Sequence, residues 1–122
     1  MLTLVDTSVW VAHLRSGDPL LGSLLNAGEV LCHPWVIGEI SCGNLKDRKK
    51  ILTLLRQLPK VTQVSDLEIF ALIEKRKLYG KGVGWVDCAL LAACMINQVL
   101  LFTYDKRLGS IGKSLGLIKV KP

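Results

Sequence analysis

Long hydrophobic runs are missing from this 122-residue sequence. A membrane span needs about 20 consecutive apolar residues. The longest apolar stretch, residues 88–96 followed by 99–102, is interrupted by Asn97 and Gln98. A signal-type start is missing as well. MLTLVDTSVW has no basic n-region and no small-residue cleavage site, so the expected location is the cytoplasm, with no membrane partner. Cysteines number four, Cys32, Cys42, Cys88 and Cys94, with no CxxC pair and no histidine spacing that completes a zinc site. They read as small core residues. The two histidines, His13 and His33, lack motif partners and read as structural. No Ser-His-Asp or Cys-His arrangement is present, and the glycine-rich GKGVGW lacks the GxxxxGK[ST] pattern of a phosphate-cradling loop. There are no internal repeats, low-complexity tracts or linkers, so residues 1–122 are expected to form one domain.

Acidic residues are also scarce, ten against sixteen basic ones, giving a net charge of +6 and a pI near 9.3. That balance favours a polyanionic partner, nucleic acid above all. The bases fall in three groups: Lys46, Arg48, Lys49 and Lys50; Lys75, Arg76, Lys77 and Lys81; Lys106 and Arg107. Any one group reads as a solvated helix face, whereas three on a small domain with a carboxylate site point to phosphate binding. Half of the residues are hydrophobic, enough for a full core without a disulfide or structural metal. The mean hydropathy of +0.38 leaves apolar surface over for another protein chain.

Strand and helix signals alternate. Residues 2–5 read as a buried strand, followed by a helix over 9–15 that Thr7 or Ser8 caps. Asp18-Pro19 opens a second helix that Gly28 ends. Residues 30–32 read as a strand, and Pro34 starts a helix to about residue 42. An amphipathic helix over 47–58 carries the stripe Ile51, Leu54, Leu55 and Leu58. Residues 61–64 read as a strand, and the capping-box pattern Ser65-Asp66-Leu67-Glu68 starts a helix to residue 79. After a glycine loop, Asp87 opens an apolar helix to residue 97. A strand over 99–103, a helix over 108–115 and a strand over 117–120 complete the chain. This pattern predicts an α/β domain with a central, mainly parallel sheet flanked by helices.

Four acids stand in apolar company: Asp6 in LTLVDTSVW, Glu39 in PWVIGEISC, Asp87 in GWVDCALLAA and Asp105 in LLFTYDKRL. A carboxylate beside core is costly unless compensated, and one divalent cation compensates several at once. In an open parallel sheet, ligands bind beyond the C-terminal strand ends. Asp6 and Asp105 each follow an apolar strand, so neighbouring strands would point both into one crevice. All-oxygen ligation suits Mg²⁺ or Mn²⁺.

Asp6-Thr7-Ser8 after the first strand, the helix-borne Gly38-Glu39, Asp87 leading into Ala89-Leu90-Leu91-Ala92-Ala93, and Thr103-Tyr104-Asp105 come in this order. Together they resemble the PIN-domain ribonucleases, specifically the short VapC-type toxins of prokaryotic toxin–antitoxin pairs. The resemblance implies a Mg²⁺- or Mn²⁺-dependent endoribonuclease with RNA as substrate. Asp6, Glu39, Asp87 and Asp105 would be its catalytic and metal-holding acids. Thr7, Ser8 and Thr103 would be hydroxyls that hold a carboxylate or a bound water in place. Lys46, Arg48, Lys49, Lys50, Lys106 and Arg107 would hold the RNA backbone. It also implies a homodimer silenced by a cognate antitoxin whose tail enters the site or its rim. Trp10, Trp35 and Trp85 read as core or as contacts for such partners. The sequence departs from the pattern in one place. Many relatives carry an extra acid or polar residue just before the helix bearing the third aspartate, and here Gly84-Trp85-Val86 precede Asp87.

Two rivals lack a required residue. A haloacid-dehalogenase-like phosphatase needs a second aspartate two residues after the first, and Ser8 occupies that place. A receiver domain needs an acidic pair after its first strand, and Asp6 is followed by Thr7. A catalytically inactive RNA- or protein-binding module on the same fold is the third alternative, against which the intact set of four acids argues.

Overall fold

Thr3, Leu4 and Val5 are all buried, and a strand with no solvated face belongs in the middle of a sheet. In the computed structural model, which describes residues 1–118, these residues are that strand. The order is β1 (Thr3–Val5), α1 (Thr7–Ser16), α2 (Pro19–Asn26), β2 (Val30–Leu31), α3 (Pro34–Ser41), α4 (Arg48–Gln57), α5 (Asp66–Arg76), α6 (Trp85–Asn97), β3 (Leu100–Phe102) and α7 (Lys106–Ser114). The sheet runs β2-β1-β3 and is parallel throughout, as expected for an α/β chain. Thr3 pairs with Val30 on one side and Leu100 on the other, and Val5 with Phe102. The chain winds from β1 to β2 in one direction and later adds β3 on the far side of β1. The winding therefore reverses between β1 and β3, which is where such sheets open a ligand crevice.

The apolar helix α6 anchors the core. Every residue from Cys88 to Cys94 is buried, so the helix is covered all round, with α5 and β3 packed on it. Asp18 caps α2, accepting the Leu21 N–H at 2.9 Å ahead of Pro19. Ser65 and Glu68 form the expected capping box of α5. His33 is buried and caps α3, its Nδ1 accepting the Trp35 N–H at 3.0 Å. His13 Nδ1 accepts the Asp18 N–H at 3.0 Å. Both histidines are thus used structurally. Burial lowers the proton affinity of His33, which suits a cap that must accept.

Several boundaries differ from those predicted. The residue that caps α1 is Asp6, not Thr7 or Ser8, because its N–H donates to Phe102 O at 3.0 Å and holds it extended beside β3. The strand over 61–64 reduces to a single bridge between Cys32 and Lys60. The reason is a side chain: the Asn97 amide accepts from Thr62 N and donates to Thr62 O, closing that backbone where a strand partner would stand. Helix α5 stops at Arg76 because Lys77 adopts a left-handed conformation. On α4, Leu55 is buried and Ile51 and Leu58 pack against the core as predicted, while Leu54 is exposed and Leu52 is buried in addition. Cys42 is exposed at the end of α3, beyond its buried face. The predicted strand over 117–120 is represented by one bond, Leu101 N–H to Leu117 O at 2.8 Å, and residues 119–120 lie outside the described ones. No helix among the described residues is long and apolar enough to cross a membrane.

Candidate active site

Because β1 and β3 are neighbours, Asp6 and the Thr103-Tyr104-Asp105 segment leave the sheet side by side. Asp6 is 5% exposed, and both of its oxygens are held. Oδ1 accepts the Ser8 N–H at 2.8 Å and the Ser8 hydroxyl at 2.5 Å. Oδ2 accepts the Thr103 hydroxyl at 2.6 Å. The Ser8 hydroxyl in turn accepts the Tyr104 N–H at 2.9 Å, and that of Thr103 accepts the Asp105 N–H at 3.0 Å. Two hydroxyls thereby tie the end of β1 to the end of β3 and fix the Asp6 carboxylate in one orientation. The third hydroxyl, on Thr7, donates to Glu39 Oε1 at 2.6 Å and links α1 to α3.

Asp105 caps α7 through the Leu108 N–H at 3.0 Å. Asp87 does not open α6 as predicted. Gly84 is the cap residue, and Asp87 is the third helical residue, its Oδ2 accepting the Gly84 N–H at 3.2 Å. Burial pushes the Asp87 carboxyl above its ordinary proton affinity, the Gly84 bond works against that, and the charges of Asp105, Asp6 and Glu39 add to it. Asp6, Glu39 and Asp105, which stand apart from Asp87 in the sequence, are therefore near enough in space for their charges to act on it. Burial and the neighbouring Asp87 charge also raise the Cys88 thiol.

Among the described residues the one salt bridge joins the Met1 amino group to Glu29, so no base neutralises the four. Their oxygens suit a hard cation. Among the described residues, however, no three acids converge closely enough to chelate an ion together. Mg²⁺ keeps several waters and needs only one or two direct carboxylates. The donor set fits such an ion on those terms.

The predicted basic residues are all exposed, but they are not equivalent. Arg48 is already engaged, donating to the Ser41 and Gly43 carbonyls at the end of α3. Lys46 lines a groove of about 690 Å³ together with Val11, Leu14, Arg15, Ile40 and Glu39. Lys49 and Lys50 stand on the first turn of α4, Lys106 and Arg107 on that of α7. Trp10 is buried, Trp35 half-buried and Trp85 exposed against Phe70. One link was missed from sequence: the Tyr104 hydroxyl donates to Asp18, tying α2 to the loop before α7. A tyrosine beside Asp105 in an otherwise apolar run was its one signal.

Comparison with known proteins agrees with this arrangement. The family model described as "PIN domain" matches residues 3–114. The chain is similar to Ribonuclease VapC32 from Mycobacterium tuberculosis, in strains CDC 1551 / Oshkosh and ATCC 25618 / H37Rv. Each is 43% identical over 108 residues, which cover 88% of this chain and 87% of the relative.

Proposed function

This chain belongs to the PIN-domain family, and from that premise we propose that it is a metal-dependent endoribonuclease of the VapC type, the toxin of a toxin–antitoxin pair. One observation carries the reading. Asp87 feels the charges of Asp6, Glu39 and Asp105 at the crevice between β1 and β3, and among the described residues no base is paired with any of them. A carboxylate ionised at a cost at a switch point, as Asp87 is, is an arrangement that function explains better than folding does.

Asp6, Asp87 and Asp105, with Glu39, would hold Mg²⁺ or Mn²⁺. Bound there, the ion supplies a Lewis acid that offsets phosphate charge and eases deprotonation of water. The protein's own part is positional. Ser8 and Thr103 fix Asp6, Thr7 fixes Glu39, and two helix starts fix Asp87 and Asp105. A water in line with the 3′-oxygen attacks phosphorus, the P–O3′ bond breaks, and the products are a 5′-phosphate and a 3′-hydroxyl. The exposed bases, Lys49, Lys50, Lys106 and Arg107 foremost, hold the RNA backbone.

The reading extends to a single domain over residues 1–122, a cytoplasmic location and a homodimer. The groove lined in part by Glu39 suits an antitoxin segment with an apolar face and a basic side chain. Val11, Leu14 and Ile40 give it an apolar wall, and Glu39 and Asp47 are its acids beside Arg15 and Lys46.

The test is incubation of purified protein with total cellular RNA in Mn²⁺ or Mg²⁺, beside an EDTA control and the Asp6→Asn protein. Discrete fragments that both controls abolish are expected. A fully active Asp6→Asn protein would falsify the site. No cleavage by a folded, partner-free protein would replace the reading with that of a binding module.

A further inference from the structure

The turn from β3 to α7, residues 103–105, carries Asp105 and the hydroxyl that holds Asp6. Two of its hydrogen bonds lead back to Asp6 or to the serine that holds it. The Thr103 hydroxyl donates to Asp6 Oδ2 at 2.6 Å, and the Tyr104 N–H donates to Ser8 Oγ at 2.9 Å. A third bond leaves the crevice. The Tyr104 hydroxyl donates to Asp18 Oδ2, at the start of α2.

Asp18 is a fixed anchor. Its N–H donates to His13 Nδ1 at 3.0 Å, its carbonyl accepts the Gly22 N–H at 2.8 Å, and its Oδ1 accepts the Leu21 N–H at 2.9 Å. Pro19 restricts the backbone that follows. The other end is held as well. The Tyr104 ring meets Phe102 edge-on, with centroids 5.3 Å apart and planes at 83°. Phe102 is the residue whose carbonyl accepts the Asp6 N–H at 3.0 Å. The tie therefore joins two positioned points, yet it is a poor device for stability. Tyr104 is 42% exposed, and a hydrogen bond that water replaces on both sides adds little to folding.

We infer that Tyr104 is a positioning residue: its hydroxyl, anchored on Asp18, holds the turn that carries Asp105 and so fixes that carboxylate during the reaction. The inference rests on the ribonuclease reading and adds a residue to the same site. The bonds through Thr103 and Ser8 share the oxygens of Asp6, and a ligand that draws on Asp6 competes with them. The bond to Asp18 shares no atom with the four acids and persists while they engage a ligand. A displacement of about 1 Å at a reacting centre costs about 10²-fold in rate. Such a tie therefore shows in turnover more than in stability.

The experiment compares the parent protein, Tyr104→Phe, Asp18→Asn and the double variant. Phenylalanine keeps the ring beside Phe102, and asparagine still caps α2, so both variants are expected to fold. Amide exchange followed by NMR in EDTA reports on the turn without metal. Tyr104→Phe should speed exchange at the Asp105 amide and leave the buried amides of α6 unchanged. Cleavage of RNA in saturating Mn²⁺ reports on the role. There kcat should fall roughly 10- to 100-fold, the span of a lost partner that orients a metal-holding group, with KM nearly unchanged. Asp18→Asn should lower kcat as well, and in the Tyr104→Phe background it should add less than about twofold, because both changes remove one bond. Parental exchange at Asp105 in Tyr104→Phe would overturn the inference. So would a loss confined to KM, which would make the hydroxyl an RNA contact, or effects that multiply in the double variant. If the parent cleaves RNA and Tyr104→Phe matches its kcat, the positioning role alone fails. If the parent cleaves no RNA in Mn²⁺ or Mg²⁺, the ribonuclease reading fails and takes the role with it.

Discussion

Thr103→Val keeps the shape of a side chain and removes one oxygen from the join between β1 and β3. That oxygen donates to Asp6 Oδ2 at 2.6 Å and accepts the Asp105 N–H at 3.0 Å. Asp6 is 5% exposed, so bulk water does not replace the lost donor. A hydrogen bond to a charged group contributes about 1.5–3 kcal/mol, against about 0.5–1.5 for a neutral pair. The Asp105 N–H lies at the solvent edge, where water takes over as acceptor, and adds little. Thr103→Val should therefore lower unfolding free energy by about 1.5–3 kcal/mol in EDTA at neutral pH, read by urea titration with an unchanged m-value. The double-mutant cycle isolates the charge. In the Asp6→Asn background the same substitution should cost only about 0.5–1.5 kcal/mol. Equal costs in the two backgrounds would refute the argument, since the carboxylate would then not be what Thr103 holds.

Three further outcomes follow from the geometry. Asp87 has a raised proton affinity in the fold, so its ionised form is a penalty. That penalty is absent below the unfolded carboxyl's ordinary value and complete once pH has risen past the raised folded value. In EDTA, Asp87→Asn should melt higher than the parent at pH 7 and lose that advantage near pH 4; an advantage independent of pH would point to another cause. Tyr104 donates to Asp18, which pushes its hydroxyl up to about 12. Ultraviolet titration should show one of the two tyrosines ionising late, and Asp18→Asn should bring it back towards the normal range. Gly82 has φ +79°, and an added Cβ meets Arg107. Gly82→Ala should cost about 1–2 kcal/mol in urea unfolding, the strain of an L-residue in the left-handed region; a variant as stable as the parent would show that the loop relaxes freely.

The parts of the fold legible in the sequence are those whose signals are local. Asp18-Pro19, the Ser65–Glu68 box and the apolar run of α6 each state their own structure, and each formed near where it was expected. The four acids were legible because each is conspicuous in apolar surroundings. What stayed hidden depends on contacts far apart in the chain. Asp6, Thr7 and Ser8 are all good caps, and the choice among them is made by Phe102, almost a hundred residues on. The segment over 61–64 has strand composition, yet Asn97 satisfies the backbone of Thr62 from α6. The aromatic pair was equally invisible, because nothing in the spacing of Phe70 and Trp85 brings them together before α5 packs on α6.

Asp6 and Asp105 cap helices with the same carboxylates that line the crevice, and Asp87 closes the first turn of α6. On the proposed reading, inactivation at these positions is therefore not neutral for this fold. Replacing either capping aspartate with alanine removes a cap worth about 0.5–2 kcal/mol along with the charge. A lineage under pressure to silence such a protein would find most substitutions at these positions paired with a loss of stability. Asparagine, which caps as well as aspartate and carries no charge, is the replacement through which the site could fall silent while the protein persisted.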